Sequence, residues 1–366
     1  MGDPFEYVFP CIKGVQAKQD YFVSMCPLRL IPKIFLFNEE ELVPELRAQR
    51  FLNKARLPDM SRYILENPNS YVFSAITASI DGDMRFEPIG TKDESARIGL
   101  LHVPMSAQFI INDGQHRRAA IEIAIREQPE IADESIAVVF FLDKGLKKCQ
   151  QMFADLNRYA IRPSKSLGVL YDHRDETAEL AREIAFKTET FNGVVEMERS
   201  TLSPRSSRLF TLSSIYNATS ALLSGIETKD FDEKSNIATT FWNETGKHIN
   251  EWRLVKERKI TSGDVRRDFI HSHAVVLQAL GKVGNAVLRN GQKTWKTKLK
   301  KLESIDWSRS NSKLWEGRAM IGGRVSKAQH NVTLTTNAIK KHLGLELTPE
   351  EQKVEDAFSR GEYVKK

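Results

Sequence analysis

At 366 residues the chain is long enough for two domains, each with a full core, and its 41% hydrophobic and 28% charged content is ordinary for a globular protein. No run of about 18 or more apolar residues occurs, which excludes a transmembrane helix by sequence pattern. The N-terminus has neither a basic region ahead of an apolar core nor a myristoylation pattern, so a cytoplasmic location is expected.

Cys11, Cys26 and Cys149 are widely spaced with no Cys-x-x-Cys pair, which argues against a zinc site and fits reduced thiols. Cys26 precedes Pro27 and Arg29, and a nearby cation would lower its pKa, making it the redox candidate. In chain order, Tyr7–Phe9 and Tyr21–Met25 read as strands, and prolines at 27 and 32 point to edge or loop placement for Arg29–Phe37. Glu39–Arg50 reads as a helix capped by Asn38, and Ser61–Glu66 as a shorter one. Tyr71–Ile80 reads as a strand stopped by a hairpin-type turn at Asp81-Gly82-Asp83.

Phe109 to Ile125, FIINDGQHRRAAIEIAI, organises the first half. An apolar strand-like run turns through Asn112-Asp113-Gly114 into a helix with apolar positions at 119, 121 and 125. A glycine turn at a helix start gathers unpaired N–H groups and partial positive charge, which suits phosphate, and Arg117 and Arg118 stand ready to close on it. Plain connection chemistry is the commoner reading of such a junction. Ile136–Leu142 reads as a strand covered on both faces. A helix over Leu146–Leu156 then leads into a basic, hydroxyl-rich cluster, Asn157-Arg158-Tyr159 through Arg162-Pro163-Ser164-Lys165-Ser166.

Asp113-Gly114-Gln115-His116-Arg117 resembles the signature of the DGQHR-domain proteins, and the chain from about residue 5 to about 345 is similar to the DndB branch of that family. Ala48–Asp83 resembles the family's N-terminal region, and Phe153–Ser166 resembles its second motif. The core is similar to the ParB/sulfiredoxin group, in which a Gly-x-x-Arg turn contacts nucleotide phosphates. Gln115 stands where sulfiredoxins carry a catalytic cysteine, which argues against sulfinate-reducing chemistry. The resemblance implies a nucleotide or phosphate site built from Asp113, Gly114, Gln115, His116, Arg117 and Arg118. It places Asn157, Arg162 and Lys165 beside that site, with Gln49, Arg50, Asn53 and Lys54 near the pocket. The guest would be ATP or another nucleoside triphosphate with Mg²⁺.

Tyr171–Phe191 reads as one helix, and periodic order lapses from Asn192 through TLSPRSSR (Thr201–Arg208). The domain boundary is placed there, giving an α/β domain over 1–195 and a mainly helical domain over 209–366. Helices are expected over Leu209–Leu223, Asn236–Trp252 and Val265–Asn290, with no strand following. Residues 251–330 hold 18 Lys and Arg against 7 Asp and Glu, a net +11; the whole chain carries +6, leaving −5 elsewhere. Lys282, Arg289, Lys293, Lys296, Lys298, Lys300 and Lys301 occur without an intervening acid, with Trp295 among them and Trp307 and Trp315 beyond. Such asymmetry is the footprint of a DNA-binding surface, although charge runs are commonly just solvated helix faces. A further helix bearing Arg318, Arg324 and Lys327 is also envisaged.

His271 and His273 lie two apart with no third ligand in spacing, so no metal is expected. No nucleophile-elbow, zincin or P-loop motif is present. The fold class is α+β: a ParB/sulfiredoxin-like domain with a mixed sheet, then a basic helical domain. Three functions follow. The first is a DNA-binding regulator, which the resemblance implies to be a promoter-bound repressor of the DNA phosphorothioation genes, modulated by nucleotide. The second is a nucleotide-dependent enzyme with Asp113 and His116 as catalytic candidates. The third is a scaffold for the modification proteins. Double-stranded DNA, other phosphorothioation proteins and a second copy of the chain are the expected partners.

Overall fold

The computed structural model describes residues 5–35, 54–142, 151–152, 154–156, 163–289 and 294–362. By internal contacts the chain divides into two units, residues 1–161 and 162–366.

The first unit is built on a seven-stranded mixed sheet in the order β4-β5-β1-β2-β7-β3-β6. β1 (Glu6–Gln16) and β2 (Gln19–Pro27) form a hairpin whose two turn residues, Ala17 and Lys18, take φ of 51° and 62°, as a two-residue turn matching strand twist requires. The first strand extends well past Tyr7–Phe9. β1 pairs on its other side with β5 (Ile98–Pro104), and β4 (Arg85–Pro88) edges the sheet. β2 pairs with β7 (Ser135–Leu142), β7 lies parallel to β3 (Ile76–Asp81), and β3 is antiparallel to β6 (Gln108–Asp113).

Consecutive strands are therefore often not neighbours. β3 and β4 flank Gly82 yet pair with different partners, so Asp81-Gly82-Asp83 turns the chain without making the expected hairpin. Residues 105–107 join β5 to β6 although these sit apart in the sheet order. The sheet accommodates this by curling, so that Phe109 of β6 meets Phe9 of β1 at 6.1 Å and Phe140 of β7 at 5.9 Å. These rings join Ile76, Ile80 and Leu101 in one apolar core.

Three local expectations change. Residues 71–75 are not strand, because Tyr71 donates its hydroxyl to Glu134 and the Val72 N–H goes to the Tyr63 hydroxyl rather than to a ladder. Pro32 opens a short helix, α1 (Ile31–Ile34), instead of marking a loop. β7 is central, but it alternates buried Ile136, Val138 and Phe140 with half-buried residues and is not sealed on both faces. The expected helix over Glu39–Arg50 with its Asn38 cap lies outside the described residues. Of Leu146–Leu156, residues 151–152 and 154–156 are helical.

α2 (Leu57–Glu66) and α3 (Gln115–Glu127) pack together, α3 burying Ala119, Ala120, Ile121 and Ala124. At about 25 cal/mol per Å² of apolar surface, such a small-residue face gives moderate stabilisation and close approach.

The second unit begins at Arg162, so the helices before residue 195 share its core rather than that of the sheet. The helix expected over Tyr171–Phe191 is α5 (Glu176–Lys187), capped by Asp175, and a separate helix, α4 (Lys165–Tyr171), capped by Ser164, precedes it. α6 (Leu212–Leu223) follows as expected. Asn236–Trp252 is divided, into α7 (Phe231–Lys247) and α8 (Asn250–Lys256). Val265–Asn290 becomes α9 (Ser262–Asp268) and α10 (Ala274–Arg289).

The second break has a visible cause. The Ile270 N–H bonds the Trp307 carbonyl at 3.0 Å, and fully buried His271 accepts from Trp252 Nε1 at 2.9 Å. These contacts pull the chain out of helical register. α10 packs on α6 through Gly281, where a Cβ would lie 2.1 Å from the Ala218 carbonyl oxygen. α11 (Trp295–Leu299), α12 (Ser312–Trp315), α13 (Gln329–Leu343) and α14 (Pro349–Ser359) complete the helices. Four two-residue strands also occur where none was expected: β8 (Val195–Glu196) beside β9 (Phe210–Thr211), and the ribbon β10 (Met320–Ile321) with β11 (Arg324–Val325). Among the described residues no helix is long and apolar enough to cross a membrane.

Candidate phosphate-binding turn and basic surface

The Asp113–Arg117 turn is fixed from beneath. Asn112 is fully buried and donates its amide to Ser79 Oγ at 2.6 Å, which holds the end of β6 onto β3. Gly114 follows with φ 112° and ψ 10°, a backbone state that L side chains avoid. A Cβ there would also stand 3.0 Å from Ile76 Cγ1 and 3.2 Å from Arg117 Nη2. Gly114 has no side chain with which to cap α3, so the first-turn N–H groups are left to other acceptors.

The arginines divide their labour. Arg117 Nη2 donates to Asp113 Oδ2 at 2.7 Å and to the Ala75 carbonyl at 3.0 Å, while its buried Nε has no partner among the described residues. Arg118 was read as a second phosphate contact. Its Nε goes to the Phe35 carbonyl at 3.0 Å, Nη2 to the Pro32 carbonyl at 3.2 Å, and Nη1 to Glu122 at 2.5 Å. It ties α1 to α3, with every nitrogen engaged. His116 is half-buried; burial, then the charges of Arg56 and Arg117, hold its pKa below the usual histidine value, which favours the neutral imidazole. Arg56, at the end of the 3₁₀ turn Lys54–Arg56, thus joins the site. It was not singled out from sequence, where its only signal is a basic residue just ahead of the Leu57-Pro58 helix start.

Gln115 is half-buried in the first turn of α3. Asn157, Arg162, Gln49, Arg50 and Asn53 lie outside the described residues. Lys165 opens α4 of the second unit behind the Ser164 cap.

On the second unit, Arg289, Lys296, Lys300 and Lys301 are exposed, and Lys282 and Lys298 are half-buried. None of the six pairs with a carboxylate among the described residues. Lys296 Nζ stands 5.6 Å from the Trp295 ring centroid. Lys293 lies outside the described residues. Trp307 and Trp315, read with the basic run, are instead core residues stacked on each other at 5.4 Å. The helix envisaged for Arg318, Arg324 and Lys327 does not form; Arg324 lies in the β10–β11 ribbon, and Lys327 is exposed beyond it. Arg318 makes a bidentate pair with Glu355, at 2.6 and 2.9 Å, beneath Phe358, so its charge is used internally.

Cys26 departs from its expected chemistry. It is fully buried, and burial pushes its thiol up to about 11 despite a hydrogen bond to Ser24, while Arg29 pairs with Asp133. A cation-activated thiolate is not what the fold provides. Among the described residues no cluster of His, Cys, Asp and Glu could hold a metal; His271 and His273 serve Trp252 and the Arg266 carbonyl.

A family model described as "DndB: DNA-sulfur modification-associated" matches residues 9–346. The chain belongs to the DndB family. No curated protein and no solved structure matches the chain. The DndB match spans both the Asp113–Arg117 turn and the lysine-rich segment, so both lie within the family's own pattern. Membership ties the chain to DNA sulfur modification and makes the other proteins of that system plausible associates.

Proposed function

We propose that this DndB-family chain is a DNA-binding regulator, a repressor of the DNA sulfur-modification genes, acting by promoter occupancy. The observation that carries the reading is the unpaired charge of the second unit: Arg289, Lys296, Lys300 and Lys301 are exposed with no carboxylate partner among the described residues, in a segment of net +11. Unpaired lysines repel one another and are relieved by a polyanion, giving affinity that falls steeply with salt. Phosphate contacts carry no sequence information, so promoter choice needs base-edge contacts or DNA shape as well. Exposed Arg324 on the two-stranded ribbon, followed by exposed Lys327, supports a groove contact of the β-ribbon type.

The Asp113–Arg117 turn supports a second, compatible reading: a triphosphate with Mg²⁺ seated at the start of α3, shifting DNA affinity or being hydrolysed. In favour stand the uncapped helix start, the orphaned Nε of Arg117 and a neutral His116 able to accept a proton.

The test is binding of the full chain to its own promoter against random duplex at several salt concentrations, with and without ATP-Mg²⁺. Promoter preference supports the repressor, and a nucleotide effect on it supports the coupling. Equal, salt-erased binding to both duplexes defeats promoter-specific repression by this chain alone.

A further inference from the structure

We propose that the cleft between the Ser/Arg loop, Thr201–Arg208, and the end of α8 is a second phosphate-backbone site. In this reading Arg205 and Arg258 contact the phosphodiesters of duplex DNA. The proposal rests on the DNA-binding reading above but uses residues outside the lysine-rich segment.

The cleft encloses about 830 Å³, and its lining includes Arg205, Arg208, Lys256 and Arg258 with no Asp or Glu. Two of these cations are already used. Arg208 donates to the Gly193 carbonyl and Lys256 to the Glu189 carbonyl, pinning the walls. Arg205 and Arg258 are exposed and pair with no carboxylate among the described residues. The neighbouring cleft is a useful contrast. Its Arg267 is neutralised by Asp264 at 2.8 Å and by Asp268 at 2.9 Å, so it offers an anion little.

The loop is built rather than loose. The guanidinium of Arg266 gathers the carbonyls of Ser203 (2.7 Å), Pro204 (3.2 Å), Ser206 (3.1 Å) and Arg208. Gly263 lies directly beneath, where a Cβ would come within 2.5 Å of the Pro204 carbonyl oxygen. Across the cleft, Arg258 is held at φ 59°, a left-handed backbone state that is unfavourable for a residue with a Cβ and tends to persist where position matters. Both free arginines are therefore set on constrained backbone, in a site where their mutual repulsion has no internal relief.

The lining also selects among anions. Serines 206 and 207 line it, the Ser262 hydroxyl being spent on the Ser207 carbonyl at 2.7 Å, and no Phe, Tyr or Trp lines the cleft. Single-stranded nucleic acid sites stack bases on aromatic rings, so this one is suited to backbone phosphates of a duplex.

The experiment compares the full-length chain with Arg205→Gln/Arg258→Gln, using a random-sequence duplex titrated at several salt concentrations. Each lost phosphate contact lowers the slope of log K against log salt by about 0.9, so the double variant should lose about 1.8 from its slope. Its affinity at low salt should fall by roughly tenfold or more. Arg205→Lys/Arg258→Lys should retain the slope, and equal melting of all three proteins establishes that the fold is intact. An unchanged slope in the Gln variant overturns the proposal, while the DNA reading survives if Lys296→Gln/Lys298→Gln/Lys300→Gln/Lys301→Gln still reduces it. Absence of any duplex binding by the wild-type chain defeats both. A variant that loses ATP or inorganic phosphate binding with no change toward duplex assigns the cleft to free phosphates and overturns the duplex claim.

Discussion

Arg117 closes on Asp113 of its own turn, Nη2 to Oδ2 at 2.7 Å, and the same nitrogen reaches the Ala75 carbonyl at 3.0 Å. The one arginine of the turn with an unsatisfied nitrogen is thus also its internal latch. A phosphate entering the turn competes with the Asp113 carboxylate for that guanidinium. Asp113→Asn should therefore tighten Mg²⁺-free nucleotide binding several-fold, whereas Arg117→Ala should abolish it and cost about 1–2 kcal/mol by leaving the Ala75 carbonyl unpaired. Calorimetric titration and urea unfolding read the two effects. Nucleotide affinity in Asp113→Asn no better than wild type would remove the competition argument.

Gly114→Ala tests whether the turn needs its backbone geometry. With φ at 112° and a Cβ only 3.0 Å from Ile76 Cγ1, the alanine must strain or move both the strand end and α3. A loss of about 1–3 kcal/mol is expected by urea denaturation. A change below about 0.5 kcal/mol would mean that the turn relaxes freely, weakening it as a preorganised site.

The exposed lysines make a salt prediction. Neutralising Lys296, Lys300 and Lys301 together should weaken binding to promoter and random duplex alike and reduce the salt slope by up to about 2.7. Filter binding or fluorescence anisotropy checks it. A loss confined to promoter DNA would show that these side chains read bases, contrary to their assignment here.

Acid should loosen the C-terminal helices first. Burial alone would raise the Glu355 carboxyl, but hydrogen bonds from Arg318 and Lys341, the charge of Arg318 and the Asn337 amide hold it down to about 2. A depressed folded-state pKa contributes stability that is fully present above about 4.5 and is lost as pH falls toward 2. Glu355→Gln should therefore flatten the pH dependence of stability across that window and cost about 3 kcal/mol at neutral pH, since it leaves Arg318 unpaired. An unchanged pH profile by chemical denaturation would contradict the pairing.

What was legible in the sequence followed local rules. Phe109–Ile111 into Gly114 and α3 could be read because a strand, a positive-φ glycine and a helix face each leave a pattern within a few residues. The net charge of 251–330 could be counted directly. What escaped depends on distant partners. Nothing near residue 270 announces that the Trp307 carbonyl and Trp252 will break the apolar periodicity between α9 and α10. Arg318 looked like a free cation because Glu355 lies 37 residues away, and Arg118 because its carbonyl acceptors lie 83 and 86 residues upstream. Arg205 of the Ser/Arg loop was hidden for a similar reason: a stretch of small polar residues reads as a connection until Arg266 is seen to shape it.

The curled sheet also dictates an order of events during synthesis. The β1–β2 hairpin emerges from the ribosome first, yet β1 must wait for residues 98–104 and β2 for residues 135–142 before either outer edge is paired. Until then open strand edges and the core-facing rings of Phe9 and Phe22 stay uncovered, the β2 edge for more than a hundred residues of elongation. Truncation before residue 142 should therefore give aggregate rather than a smaller folded sheet.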